Sequence, residues 1–374
     1  SALGSIDISS SPLASTTVVP LYIHYNTNTT YHLNFGQRAF AYSAPSGYKA
    51  LCTTNLPTPT IADGSDHFNI KTWDGTGSSK ALCTTNLATP TIADGSEYFQ
   101  ASLWTGNGAA RSITTTGMSP DFVWIKMRSG SYHNVVFDSV RGATYRLNTN
   151  LTNAEDTGAG VGVVSSFNSD GFSLDGGGGN VNQSSGSYVG WAWDAGSSTV
   201  SNTDGSLTST VRANTTAGMS IVTYTGNLSS AGNATVGHGL GVAPSVVITK
   251  SRSATGSWAV QHISLGDNEF MELNTTAAVA NSSSIGAGAL PKPTSSVFYA
   301  SYITGLNINN VTFVGYCFAP VAGYSAFGKF TSNNTEDNVF LYTGFAPRYI
   351  LWRITNTSGG WSIYDAARTP VNPN

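Results

Sequence analysis

Three stretches of this 374-residue chain spell nearly the same phrase, and that repetition restricts the fold more than any other feature. The phrases are TGMSPDFVWIK (Thr116–Lys126), HGLGVAPSVVITK (His238–Lys250) and TGFAPRYILWR (Thr343–Arg353). LWTGN (Leu103–Asn107) precedes the first and TYTGN (Thr223–Asn227) the second, offset by 120 residues. Two closing phrases match as well, YVGWAWDAG (Tyr188–Gly196) and FVGYCFAPVAG (Phe313–Gly323). After the third phrase no closing phrase follows before Asn374. Repetition at such a period means duplicated folding units. A unit that lacks half its strands cannot cover its own apolar face, so the third copy is expected to be completed by another segment or another chain.

The units read as β-structure. Short runs rich in β-branched and aromatic residues, such as FVWIK (Phe122–Lys126), SVVITK (Ser245–Lys250), NVTFVGYCF (Asn310–Phe318) and YILWRI (Tyr349–Ile354), recur between TGNG, NSDG, DGGGGN and NTDGS turns. Charged residues are only 10% of the chain while apolar ones reach 40%, against about a quarter charged in ordinary globular domains. Gly, Ser, Thr and Asn fill the difference. The expected fold is all-β, with tandem antiparallel β-sandwich (jelly-roll or lectin-like) domains behind an extended N-terminal arm. The one candidate helix is a short piece over Leu151–Asp156 capped by Asn150.

The boundaries follow the phrases. Residues 1–48 read as an arm and closing strands. Residues 49–96 carry KALCTTNLPTPTIADGS and its copy KALCTTNLATPTIADGS, 31 residues apart and differing only at Pro57 and Ala88, and read as a duplicated extended linker. Residues 97–198 form the first full repeat, 199–218 a polar junction, 219–326 the second repeat, and 327–374 a half repeat. With a net charge of −3 and no basic stripe, nucleic acid is not expected as a partner. No apolar run approaches the ~20 residues that span a bilayer, so no membrane insertion is expected. The chain opens on Ser1, as a processed product or a fragment would. Cys52 and Cys83 occupy matching places and either pair or stay free; Cys317 stands alone.

The residues offer little for catalysis. The six histidines show no metal-ligand spacing, no GxSxG elbow occurs, and GAGVG (Gly158–Gly162) reads as a loop. Acids sit in turns, including DGSD at 63–66 and DGSE at 94–97, rather than as a facing pair. No catalytic residue, cofactor or metal site is therefore expected. Asp138 and Arg141 in FDSVR, and Asp365 and Arg368 in YDAAR, share a spacing that suits a clamp across a strand-end turn. The second repeat has QHISL there instead. Trp124, Trp191, Trp193, Tyr316, Phe318, Trp352 and Trp361 read as core aromatics, and His133 as a packing residue in register with Trp258 and Trp361.

LNFGQRAFAYSAPSGYKAL (Leu33–Leu51) resembles the closing strands of SPRY-type, lectin-like sandwiches in tail-fibre and virion proteins of marine and cyanobacterial phages. LCTTNLATPTIADGSEYF, SPDFVWIKMRS, FDSVRGA, SDGFSL and YVGWAWDAGSSTVSNTDGS are similar to the same group. The resemblance implies a phage tail-fibre or other virion-surface protein, extracellular or on the virion, with repeated sandwich domains of unknown function; a fold by itself implies no activity. Two functions compete. One is a non-enzymatic structural fibre protein that partners itself as a homo-oligomer or helical filament. The other is a tail-fibre receptor-binding protein recognising a cell-surface polysaccharide. FGQRAFAYSAPSGY (Phe35–Tyr48) echoes FVGYCFAPVAGY (Phe313–Tyr324), so residues 1–48 of a neighbouring copy are expected to donate strands to the half repeat.

Overall fold

The computed structural model describes residues 71–73, 79–81, 89–158, 160–333, 339 and 341–369. The N-terminal arm, Cys52, Cys83 and the DGSD turn lie outside the described residues. The described chain is all-β and antiparallel, with one 3-10 turn at Gly95–Glu97 as its only helical piece. Asp94 opens that turn by accepting from Ser96 N at 2.8 Å. Within the segment expected to be an extended linker, β1 (Lys71–Trp73) pairs with β2 (Ser79–Ala81). The intervening DGTGS carries the turn chemistry that makes a hairpin favourable there.

The first repeat is a two-layered sandwich. One layer joins β3 (Phe99–Thr105), β10 (Ser187–Trp193), β5 (Phe122–Met127), β6 (Val135–Asp138) and β7 (Leu147–Asn148) in that spatial order. The other joins β4 (Arg111–Thr114), β9 (Gly171–Leu174) and β8 (Val164–Asn168). Val123, Ile125, Val135, Phe137 and Tyr188 of the larger sheet meet Ile113, Val164, Phe172 and Leu174 of the smaller. Gly190 in the closing strand is required by this packing. A Cβ there would lie 2.9 Å from the Trp104 ring and 3.5 Å from Phe172.

The second repeat is built alike. Its large sheet runs β11 (Thr199–Asn202), β12 (Ser209–Asn214), β13 (Met219–Thr225), β20 (Thr312–Phe318), β15 (Val246–Ser251), β16 (Ala259–His262), β17 (Glu269–Glu272), β18 (Ala280–Asn281). Opposite it stand β14 (Asn233–Gly237) and β19 (Val297–Ser301), with Val222, Tyr224, Val247, Phe298 and Phe313 between the layers. The expected polar junction at 199–218 is thus corrected: β11 and β12 extend this sheet, β12 pairing along the whole of β13. Polar side chains hid a strand whose inward positions are few. Val211 enters the core, and Ser209 donates to Gly237 O at 2.8 Å.

The expected helix at Leu151–Asp156 is also absent. Its backbone is drawn into other ladders: Arg146 and Asp156 form a β-bridge, Glu155 N donates to Arg252 O, and Thr152 O accepts from Gly256 N. Tertiary pairing outweighs a weak local propensity here.

Candidate functional site

The two sandwiches are not separate beads. The central strands of each large sheet are buried on both faces, and the faces turned away from the smaller layers meet in a third core. Phe122, Trp124, Val136, Val189 and Trp191 enter it from the first repeat, and Ile221, Ile248, Val260, Val314 and Tyr316 from the second. The half repeat supplies its remaining wall. Its hairpin, β21 (Tyr349–Trp352) paired with β22 (Ser362–Asp365), packs Tyr349, Leu351, Trp361 and Ile363 against this core. Tyr349 lies 5.5 Å from Phe99, 5.9 Å from Trp191 and 5.4 Å from Trp193, ring centroid to centroid.

All three units share one register. Phe122 opposes Asp138, Val246 opposes His262, and Tyr349 opposes Asp365, each pair 16 residues apart in sequence. That register places Asn134, not His133, with Trp258 and Trp361. His133 is exposed and meets the Asn150 side chain at 3.0 Å. The expectation for His133 missed by one residue, since the three hairpins are equal in length and position 134 is the one in register.

The clamps fasten the units to one another. Asp138 accepts from Arg141 Nε at 2.5 Å, from the backbone N–H of Val140 and Arg141, and from Tyr316 Oη of the second repeat at 2.7 Å. Asp365 accepts from Arg368 Nε at 2.5 Å and from Trp191 Nε1 of the first repeat at 3.0 Å, with Arg368 stacked 5.2 Å over that indole. Trp191 and Tyr316 occupy matching places in the two closing strands, so each sends its donor to the aspartate of an adjoining unit. Glu155 adds a second tie by accepting from both Arg141 (2.7 Å) and Arg252 (2.9 Å). Burial opposes the Arg141 charge, yet Asp138 and Glu155 hold its pKa above the ordinary value. Burial also raises the Tyr316 phenol well above its usual range, keeping it a donor. Lys250 is fully buried and gives its protons to Thr152 O and Ser251 O (3.2 and 2.8 Å); burial pushes it down to about 8.

In the second repeat His262 stands in the aspartate's place and does part of its work. Its Nδ1 accepts from Ser264 N at 3.0 Å, and burial, with Lys292 nearby, pushes it down to about 4. His238 likewise serves a turn, accepting from Leu240 N at Nδ1 and meeting Thr294 O through Nε2. Among the described residues no three His, Cys, Asp or Glu side chains gather as a metal site.

Trp193 and Phe318 are half-buried at the rim of the shared core, 6.3 Å apart. Trp352 is a correction: expected in the core, it is 40% exposed. The reason is that, among the described residues, no second layer covers this face. Ile350, Trp352 and Tyr364 correspond to Val123, Ile125 and Phe137, which the small sheet covers completely; here they are 45%, 40% and 60% exposed. An edge is open too. The closing strand separates β3 from β5 and β13 from β15, but among the described residues no strand pairs with the second edge of β21. Residues 341–343, which correspond to the ends of β3 and β13, are not in strand, and Leu341 and Tyr342 are 52% and 51% exposed. Their counterparts each pair with a closing strand.

Residues 94–374 match the family described as Domain of unknown function (DUF7483), and the chain belongs to that family. No curated protein and no solved structure matches the chain.

Proposed function

We propose that this DUF7483 protein is a non-enzymatic structural subunit of an extracellular or virion-surface fibre, one that assembles by β-strand complementation. The observation that carries the reading is the third unit. Its inner face is locked into the shared core through Asp365, Trp191 and Arg353, whose Nη1 donates to Glu272 O at 2.8 Å. Its outer face is about half exposed, and among the described residues no strand pairs with one of its edges. Open apolar edges are aggregation hazards that proteins ordinarily blunt with charge or proline. Tyr349–Trp352 carries neither. A strand accepted from a neighbour joins the half repeat of one copy to a different surface of the next, which propagates as an open filament.

The polar groups support a structural role. Each charged cluster of the core holds a strand end or joins two units. Electron microscopy of the assembled protein tests the proposal: a fibre of one chain type with a regular axial repeat supports it, and dispersed single particles at high concentration refute it. A glycan array on the same material tests the receptor-binding role, which predicts selective retention of a polysaccharide.

A further inference from the structure

We infer that Phe35–Ala41 of a neighbouring copy is the strand that fills the slot between residues 341–343 and β21. This rests on the reading of the chain as a subunit assembled by strand complementation, and it names the donor. The slot has a definite shape because the same position is filled twice within this molecule. In the first repeat Trp193 opposes Phe122, Trp191 opposes Trp124 and Tyr188 opposes Trp104. In the second, Phe318 opposes Val246, Tyr316 opposes Ile248 and Phe313 opposes Tyr224.

FGQRAFA (Phe35–Ala41) aligns without a gap on YVGWAWD (Tyr188–Asp194) and FVGYCFA (Phe313–Ala319). Carried into the third unit, the register sets Phe40 against Tyr349, Ala39 against Ile350, Arg38 against Leu351 and Phe35 against Tyr342. Four features of the slot suit that segment. The first is an aromatic pair: Trp104 stacks on Tyr188 at 5.5 Å and Tyr224 on Phe313 at 5.3 Å, and the third pair is Tyr342 with Phe35. The second is size. Ala39 takes the place of Ala192 and Cys317, both buried and small. The third is a donor: Arg38 stands where Trp191 Nε1 and Tyr316 Oη each donate a hydrogen bond. The fourth is the one glycine that changes. Gly190 and Gly315 lie beneath rings, Trp104 and Phe172 in one case and Phe298 in the other. Phe172 and Phe298 belong to second layers that the third unit does not show among the described residues, so Gln37 has room there. An added strand would also give residues 341–343 a ladder to join.

Cysteine pairs test the donor and its register. In a Cys52→Ser, Cys83→Ser background, Ala39→Cys is placed on one tagged chain and Ile350→Cys on another, and the two are co-expressed and oxidised. A disulfide-linked heterodimer is expected, since directly opposed Cβ atoms on paired strands approach to about 4.5–5.5 Å. Phe40→Cys in place of Ala39→Cys points to the other face and should link far less. Assembly without the Ala39–Ile350 link, or with equal linking from Phe40→Cys, overturns the donor assignment while leaving strand complementation standing. An intrachain link in a chain carrying both cysteines, with only monomer in sedimentation, overturns the neighbouring-copy donor and the fibre reading together.

Discussion

Removing the Asp138 carboxylate should be among the most damaging single changes outside the aromatic core. Its side chain is fully buried and accepts from two backbone N–H groups, Arg141 and the Tyr316 hydroxyl. Asp138→Ala strands a buried hydroxyl and leaves Arg141 only Glu155 as a charged partner, as when one partner of a buried pair is deleted, at a cost of about 3–5 kcal/mol. Tyr316→Phe removes only a donor to a charged group, at about 1.5–3 kcal/mol. The double variant should cost less than the two added together, by roughly 1–2 kcal/mol, because the orphaned hydroxyl is gone. Urea unfolding followed by tryptophan fluorescence measures all three, provided the slope stays constant. A loss below ~1 kcal/mol for Asp138→Ala, or strict additivity, would refute the claim that this aspartate ties the first repeat to the second.

Three further outcomes follow from the same contacts. Trp191→Phe, which removes the donor to Asp365 and leaves a smaller ring beneath Arg368, should loosen the hairpin and raise the amide exchange of β21 and β22 before it affects β5; equal exchange in all three would contradict this. Stability should rise relative to that of Lys250→Met as pH climbs from about 8 towards 10, because Lys250, pushed down to about 8 from 10.5, binds fewer protons folded than unfolded. It should fall as pH drops from 6.5 through about 4, where His262 stays neutral only in the fold, and His262→Gln should flatten that acid limb. In a Cys52→Ser, Cys83→Ser background, Cys317, buried and pushed up to about 12, should react with a thiol reagent only on unfolding; rapid labelling of that native protein would place it elsewhere.

The repeats, the all-β class and the strand positions were legible because β-branched and aromatic runs between glycine-rich turns have no other ready fold. The equivalence of the two closing strands was legible as well, since each closing phrase carries its glycine and three aromatics at fixed offsets. What surrounds each strand was not. FVWI is apolar at every position, but nothing local says that Val123 and Ile125 meet the first repeat's own small sheet while Phe122 and Trp124 meet the second repeat. The strand at Ser209–Asn214 was hidden because a sheet can be extended by threonine and serine whose partners lie in another segment. Trp352 misled for the opposite reason. Its place in the repeat is a core place, and only the structure reveals that no layer of the described residues covers it. The Asp–Arg spacing announced a turn clamp, yet the donors from Tyr316 and Trp191, 178 and 174 residues away, could not be read from it.

The most direct test of the account blocks the open edge without disturbing the fold. Ile350→Lys with Trp352→Lys puts charge on two half-exposed positions, where substitutions ordinarily change stability by about 0.5 kcal/mol or less. Sedimentation velocity of the full chain across a concentration series is predicted to show growing linear assemblies, and the double variant, with an unchanged unfolding midpoint, only monomer. Assembly of the variant indistinguishable from that of the parent would contradict strand complementation at β21.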